Sequence, residues 1–295
     1  VLAREIKEEN IIEAYAREYK RGRKSLEEVG KAINFFAPDI RKKKEVIPFI
    51  EERLLAGGMT QDKVKEVIEQ ALWDEFPLEE KIGKLTEMNV YGKIEARRAG
   101  DLFQKCLHTG KIQEAQEILN KFFQTIKDTS WEVRKVVAAH VPKVLLTIEE
   151  TSKDKKVFRQ ASKFLLLTLG QEKDNEVLFT LADSMALVAN ELIARGKLID
   201  GLQILEDLAN SQNLRNDPRF DREKPNIFQP EALLNILTSL KDRHADEREA
   251  IFKTMETLGI LAIEPLLDAL VQEKSMQIRA NLIKTISSLK EVTLD

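Results

Sequence analysis

Two runs of cations are the first residues in this 295-residue chain with chemistry to offer. Lys20, Arg21, Arg23 and Lys24 make one, and Arg41, Lys42, Lys43 and Lys44 the other. Clusters of this kind attract phosphates or an acidic protein surface. A plainer reading competes with that one. Lys20–Lys24 would close a helix, where cations favour the dipole. Arg41–Lys44 would lie on a wet outer face, interleaved with Glu45, Glu51 and Glu52. A third candidate group is Arg219, Phe220 and Arg222, in a proline-containing stretch over 211–230. Three prolines and little apolar periodicity there predict a long loop, either a connector or a binding loop.

The remaining reactive residue types are sparse. Cys106 is the single cysteine, so no internal disulfide forms and a thiolate metal site lacks ligands. Its position between Leu102 and Leu107 reads as a small core residue. His108, His140 and His244 have no metal-binding spacing, and His140 reads as a satisfied histidine on an apolar helix. Trp73 and Trp131 read as packing residues at repeat junctions. Glu79-Glu80 and Glu149-Glu150 point to different faces of a helix and cannot work as paired acids. No glycine-rich phosphate loop, serine-nucleophile elbow or calcium loop is present. No cofactor is expected.

Composition narrows the class further. The net charge is −3, against the cationic excess of a dedicated nucleic-acid binder. Thirteen of the aromatic residues are Phe, which suits core filling better than base stacking. No apolar run reaches the roughly 18 residues that a membrane span needs. Residues 1–24 are too charged for a signal peptide, and a cytoplasmic location is the expectation.

The elements that must position these residues are helices in a repeating pattern. Glu231-Ala-Leu-Leu-Asn-Ile-Leu237 reads again as Glu264-Pro-Leu-Leu-Asp-Ala-Leu270, 33 residues on. Ile251, Phe252, Met255 and Leu258 return as Leu282, Ile283, Ile286 and Leu289 at an offset of 31, and Arg248 returns as Arg279. Two helices per unit at such a period predict stacked helical hairpins, an α-solenoid. Further upstream the period lengthens. Gly110-Lys-Ile-Gln-Glu-Ala-Gln-Glu-Ile-Leu119 is matched by Gly196-Lys-Leu-Ile-Asp-Gly-Leu-Gln-Ile-Leu205, 86 residues later. Val133, Val137 and Ala138 map onto Val177, Leu181 and Ala182 at 44. Near the start, Ser25 and Glu28 form a capping-box pattern, and the helix behind them should end before Ala37-Pro38.

The C-terminal block resembles short HEAT-type repeats. Leu258-Gly259, Ala262-Ile-Glu-Pro-Leu-Leu-Asp-Ala-Leu270 and Gln277-Ile-Arg-Ala280 carry the resemblance. Trp131-Glu-Val-Arg134 is similar to the same second-helix opening. The resemblance covers about residues 231–290 best, 100–210 less well and 1–100 weakly. It implies a protein-interaction or scaffolding role, and it brings no catalytic residue with it. Arg134 and Arg279 are expected to bond a neighbouring repeat rather than a ligand.

The expected architecture is all-α: a right-handed superhelix of stacked helical hairpins, a HEAT/ARM-like α-solenoid. Residues 1–100 would form a helical region capping the array, 101–210 longer repeats, 211–230 a loop and 231–295 short HEAT-type repeats. The expected role is a non-catalytic scaffold, or a regulatory module of a signalling protein, docking a protein partner of unnamed identity on the concave face built by second helices. No membrane partner is expected, and nucleic acid is disfavoured. The last helix has no obvious cap after it, which fits either a truncation or a homodimer contact at that end. The rivals are a HEAT-like DNA glycosylase, with Asp128 and Trp131 on one helical face, and a chromophore-lyase-type HEAT protein.

Overall fold

The computed structural model describes residues 2–37, 46–152, 155–219, 233–234, 236–237 and 240–292, with side chains from Ile11 onward except at 241, 260–261 and 290–292. The protein is all-α, with no strand among the described residues. It divides into two compact units, residues 1–84 and 85–295.

The first unit contains α1 (Leu2–Lys20), α2 (Leu26–Phe36), α3 (Ile47–Ala56), α4 (Gln61–Asp74) and the start of α5 (Leu78–Thr86). The Ser25–Glu28 capping box is present and reciprocal: Glu28 N–H donates to Ser25 Oγ at 3.2 Å, and Ser25 N–H to Glu28 Oε2 at 2.9 Å. Thr60 precedes α4 without a side-chain cap bond. Ile12, Ile33, Ile50, Leu54, Val64 and Val67 meet in one core, which α1 to α4 close by packing in pairs. Gly57 is required where α3 leaves this core. A Cβ there would lie 2.4 Å from the Ala16 Cβ and 2.8 Å from the Glu13 carbonyl.

The second unit opens with α6 (Lys93–His108), α7 (Ile112–Asp128), α8 (Trp131–Thr151), α9 (Lys155–Gln171), α10 (Asn175–Ala194) and α11 (Leu198–Asn210). A constant spacing runs through them. The helices α6, α8 and α10 end at His108, Thr151 and Ala194, each 43 residues after the last, and α7, α9 and α11 begin at Ile112, Lys155 and Leu198 with the same interval. These are three consecutive helical hairpins. Their first helices stack as α6 on α8 on α10, and each second helix packs back against a first helix.

The turns explain the 86-residue sequence match. Gly110 and Gly196 both adopt positive φ, 76° and 79°. Beyond each, a lysine amide reaches back to the helix: Lys111 N–H to the Cys106 carbonyl and Lys197 N–H to the Leu192 carbonyl, both 2.8 Å. This is the left-handed glycine cap that ends a helix and redirects the chain. The 44-residue match also has a physical basis. Val137, Ala138, Leu181 and Ala182 are all fully buried, on equivalent turns of α8 and α10.

The helix α10 is long and apolar enough to cross a membrane, unlike the expectation of no such run, but 61% of that apolar window is buried inside the protein. It packs between α8 and α11.

The region expected to be a loop after 211 is partly helical. A four-residue turn, α12 (Gln212–Arg215), buries Leu214 and packs on α9 and α11. Asn213 anchors it by donating to the Leu169 and Glu172 carbonyls at 3.2 and 2.9 Å. Among the described residues, three helices follow from Ala245 onward: α13 (Ala245–Leu258), α14 (Ile263–Gln272) and α15 (Met276–Val292). The C-terminal sequence repeat has matching burial. Leu233 and Ile236 are buried, as are Leu266 and Ala269 at the same offset. Ile251, Met255 and Leu258 are buried like Leu282, Ile286 and Leu289, but Ile283, expected in that stripe, is half exposed. Arg279 donates to the Leu270 and Glu273 carbonyls at 2.7 and 3.0 Å, satisfying the C-terminal end of α14.

Candidate functional site

The basic run at the end of α1 is tied into its own helix ends. Arg21 and Arg23 both reach Glu18, at 2.8 and 3.4 Å, and Lys24 pairs with Glu28 at 2.5 Å. The Arg21 hydrogen bond holds the Glu18 carboxyl below its ordinary range. The Lys20 side chain lies against Gly58. Arg41 to Lys44, Phe220 and Arg222 lie outside the described residues. Arg219 is engaged on three sides: Asp217 at 3.3 Å, Glu176 at 3.3 Å, and the Phe179 ring, whose centroid is 4.4 Å away.

The other singled-out residues resolve simply. Cys106 is fully buried, and burial pushes its thiol up, away from the reactive thiolate. His140 Nδ1 bonds the Val136 carbonyl at 2.8 Å, so its partner is its own helix. Trp73 is buried as expected. Trp131 is less covered than expected: it stands 44% exposed as the first residue of α8. Asp128 ends α7 while Trp131 begins α8, so the two do not share a helical face. Among the described residues no cluster of three or more His, Cys, Asp or Glu could hold a metal.

Long-range ion pairs link one hairpin to the next. Arg134 reaches Glu172, 38 residues away, and Lys135 reaches Glu176 at 41. Lys143 pairs with Asp101, Arg159 with Asp200, Arg195 with Glu150 and Lys197 with Glu149. The Lys135 hydrogen bond, with help from Arg219, holds Glu176 below the usual carboxylate range. These pairs join neighbouring helices.

Two grooves lie along the second helices of the second unit. Between α7 and α9 lies a groove of about 610 Å³. Its floor is Phe103, Ile148 and Phe164; its walls carry Ile112, Leu119, Phe123 and Val157, with Gln116, Asn120 and Gln160 at the edges. Phe123 of α7 and Phe164 of α9 touch within its lining, ring centroids 5.0 Å apart. The next interval, between α9 and α11, holds a second groove of about 650 Å³, with Leu166, Leu167, Ile199 and Ile204 among its lining. That one is charged: Arg159 and Asp200 pair there at 3.1 Å, and burial raises the Asp207 carboxyl. Ile112, Val157, Leu167 and Ile199 are all more than 40% exposed. None of these positions was picked out as a site from the sequence. The available signal was the width of the apolar stripe on α9, where Val157, Phe164 and Leu167 fall outside the buried set of Phe158, Ala161, Leu165 and Leu169.

The chain matches no family model, no curated protein and no solved structure.

Proposed function

We propose that this chain is a non-catalytic docking module, a HEAT/ARM-like α-solenoid whose second helices present its binding face to a protein partner. The observation that carries the reading is the pair of successive grooves along α7, α9 and α11, with Ile112, Val157, Leu167 and Ile199 standing exposed in them. Contiguous exposed apolar surface of this kind is characteristic of interaction sites. The 43-residue spacing of the hairpins supports the solenoid part, because stacked repeats generate extended binding faces. The engagement of Arg21, Arg23, Lys24, Arg134 and Arg219 in ion pairs, and the burial of Cys106, support the non-catalytic part.

The test is a pull-down from source-cell lysate with the chain and with an Ile112→Glu/Val157→Glu double variant. The reading expects a protein retained in stoichiometric amount by the first and lost by the second. DNA binding that falls steeply with salt, with no protein retained, would reverse it in favour of a nucleic-acid function.

A further inference from the structure

The hairpin of α14 and α15 turns an apolar strip outward on each arm. On α14, Leu267 and Val271 stand one turn apart. On α15, Met276, Ala280 and Ile283 follow at i, i+4 and i+7. Each set therefore shares one helical face. All five are exposed, Val271 by 82% and Met276 by 85%. They lie away from the residues that the fold buries, which are Pro265, Leu266 and Ala269 on α14 and Ile278, Leu282 and Leu289 on α15. Packing within the chain does not account for the outward strips.

The charges beside the two strips are opposite in sign. α14 carries Glu264 and Asp268 and no cation, and both acids are exposed beside Leu267. α15 carries the exposed Lys284 next to Ile283, and no acid between Met276 and Leu289. Glu264, Asp268 and Lys284 form no ion pair among the described residues. Laid antiparallel, the strips also match in length. Helical rise puts Leu267 and Glu264 at about 6 and 10.5 Å from Val271 along α14. It puts Ala280, Ile283 and Lys284 at about 6, 10.5 and 12 Å from Met276 along α15. Setting Val271 on Met276 therefore lays Leu267 over the small Ala280 and brings Glu264 beside Lys284.

We propose that the α14–α15 hairpin is the contact face for a second copy of this chain, with α14 of each copy lying antiparallel on α15 of the other. The pairing is isologous: a twofold axis along the helices makes both contacts at once, and the two hairpins close round a shared apolar core. Pairing α14 on α14 would instead bring like charges together. The contact uses none of the residues in the grooves along α7, α9 and α11, so it goes beyond the docking reading and stands or falls apart from it.

The test is sedimentation velocity of the full chain through the micromolar range. A species of twice the chain's mass should appear and grow with concentration. Val271→Glu and Met276→Glu should each weaken dimerisation about tenfold or more, because one substitution acts twice in a symmetric contact. Both positions are exposed, so the circular dichroism spectra should match that of the parent chain. Lys284→Glu should weaken the dimer, and so should Glu264→Lys/Asp268→Lys. Mixed together, these last two variants should pair again, since every acid then meets a cation across the contact. Ile112→Glu/Val157→Glu should leave the dimer intact. A monomer at every concentration, growth into species larger than a dimer, a dimer indifferent to Val271→Glu, or no recovery on mixing the charge variants would overturn the assignment. Loss of the dimer in Ile112→Glu/Val157→Glu alone would overturn it too, and would move the contact to the α7/α9 groove.

Discussion

Arg134 holds Glu172 through two hydrogen bonds, Nε to Oε2 at 3.0 Å and Nη2 to Oε1 at 2.9 Å, while its Nη1 donates to the Thr129 carbonyl at 2.6 Å. One side chain thus joins the end of α7, the start of α8 and the turn before α10. Arg279 occupies the same fourth position of its helix and likewise donates to carbonyls at the end of the preceding one.

The Arg134 bond is mostly shielded, its two side chains only 19% and 6% exposed. Arg134→Ala should cost about 2 kcal/mol in urea unfolding, because it strands a buried carboxylate as well as removing hydrogen bonds. Arg134→Lys should recover less than half, since an ammonium cannot make the paired contact. A loss under a few tenths of a kcal/mol for Arg134→Ala would mean that Glu172 is satisfied by the Lys173 and Asp174 amides alone.

Gly110 and Gly196 should respond alike to substitution. Each has open space around its absent Cβ, so the penalty for Ala is the left-handed backbone alone, about 1 kcal/mol at either site. Gly201→Ala should be worse despite its ordinary helical backbone. Its Cβ would come within 2.7 Å of the Ala189 carbonyl and of Ile193, pushing α10 and α11 apart. Melting temperatures of the three variants decide the order, and a milder effect at Gly201 would contradict the close approach of these helices.

Tyr91 predicts an alkaline weakness. It is buried, its backbone N–H donates to Thr125 Oγ1 at 2.9 Å, and its hydroxyl donates to the Ile118 carbonyl at 3.3 Å. Burial, with a small push from Glu117, raises the phenol well above its ordinary value. The neutral form is the one the fold accepts. Its contribution is whole below the unfolded phenol's pKa of about 10 and declines as pH rises beyond that. Stability measured from pH 8 to 11 should fall in that window, and Tyr91→Phe should flatten the fall while costing about 1 kcal/mol at neutral pH. An unchanged alkaline slope in Tyr91→Phe would move the effect to other groups.

Removing residues 275–295 tests the C-terminal end. α15 buries Ile278, Leu282, Ile286 and Leu289 and supplies Arg279 to the end of α14. The shortened chain should melt lower and bind more of an apolar fluorescent dye. Unchanged melting and solubility would show that α13 and α14 are complete without it.

Much of the hairpin pattern was readable in advance, for definite reasons. Gly110 and Gly196 mark the same turn because only glycine takes that φ cheaply, and the apolar residues behind them share a burial pattern. The ion pairs were not readable. Arg134, Lys143 and Arg195 look like any surface cation in a chain with 33% charged residues, and their partners lie 38 to 45 residues away. The groove was hidden for the opposite reason. Ile112, Val157 and Leu167 have the side chains of core residues, and periodicity alone cannot tell an apolar face that is covered from one left open. Trp131 and Ile283 were misjudged in the same way.

The regular interval between hairpins bears on how the chain is made. Asp101 finds its partner 42 residues later, and Glu150 finds its own after 45. A chain leaving the ribosome therefore never waits for its far end: each hairpin can settle on the one before it as soon as it emerges. Contacts of such short reach are quick to form, and folding from the N-terminal side during synthesis keeps unfinished apolar faces exposed only at the growing tip.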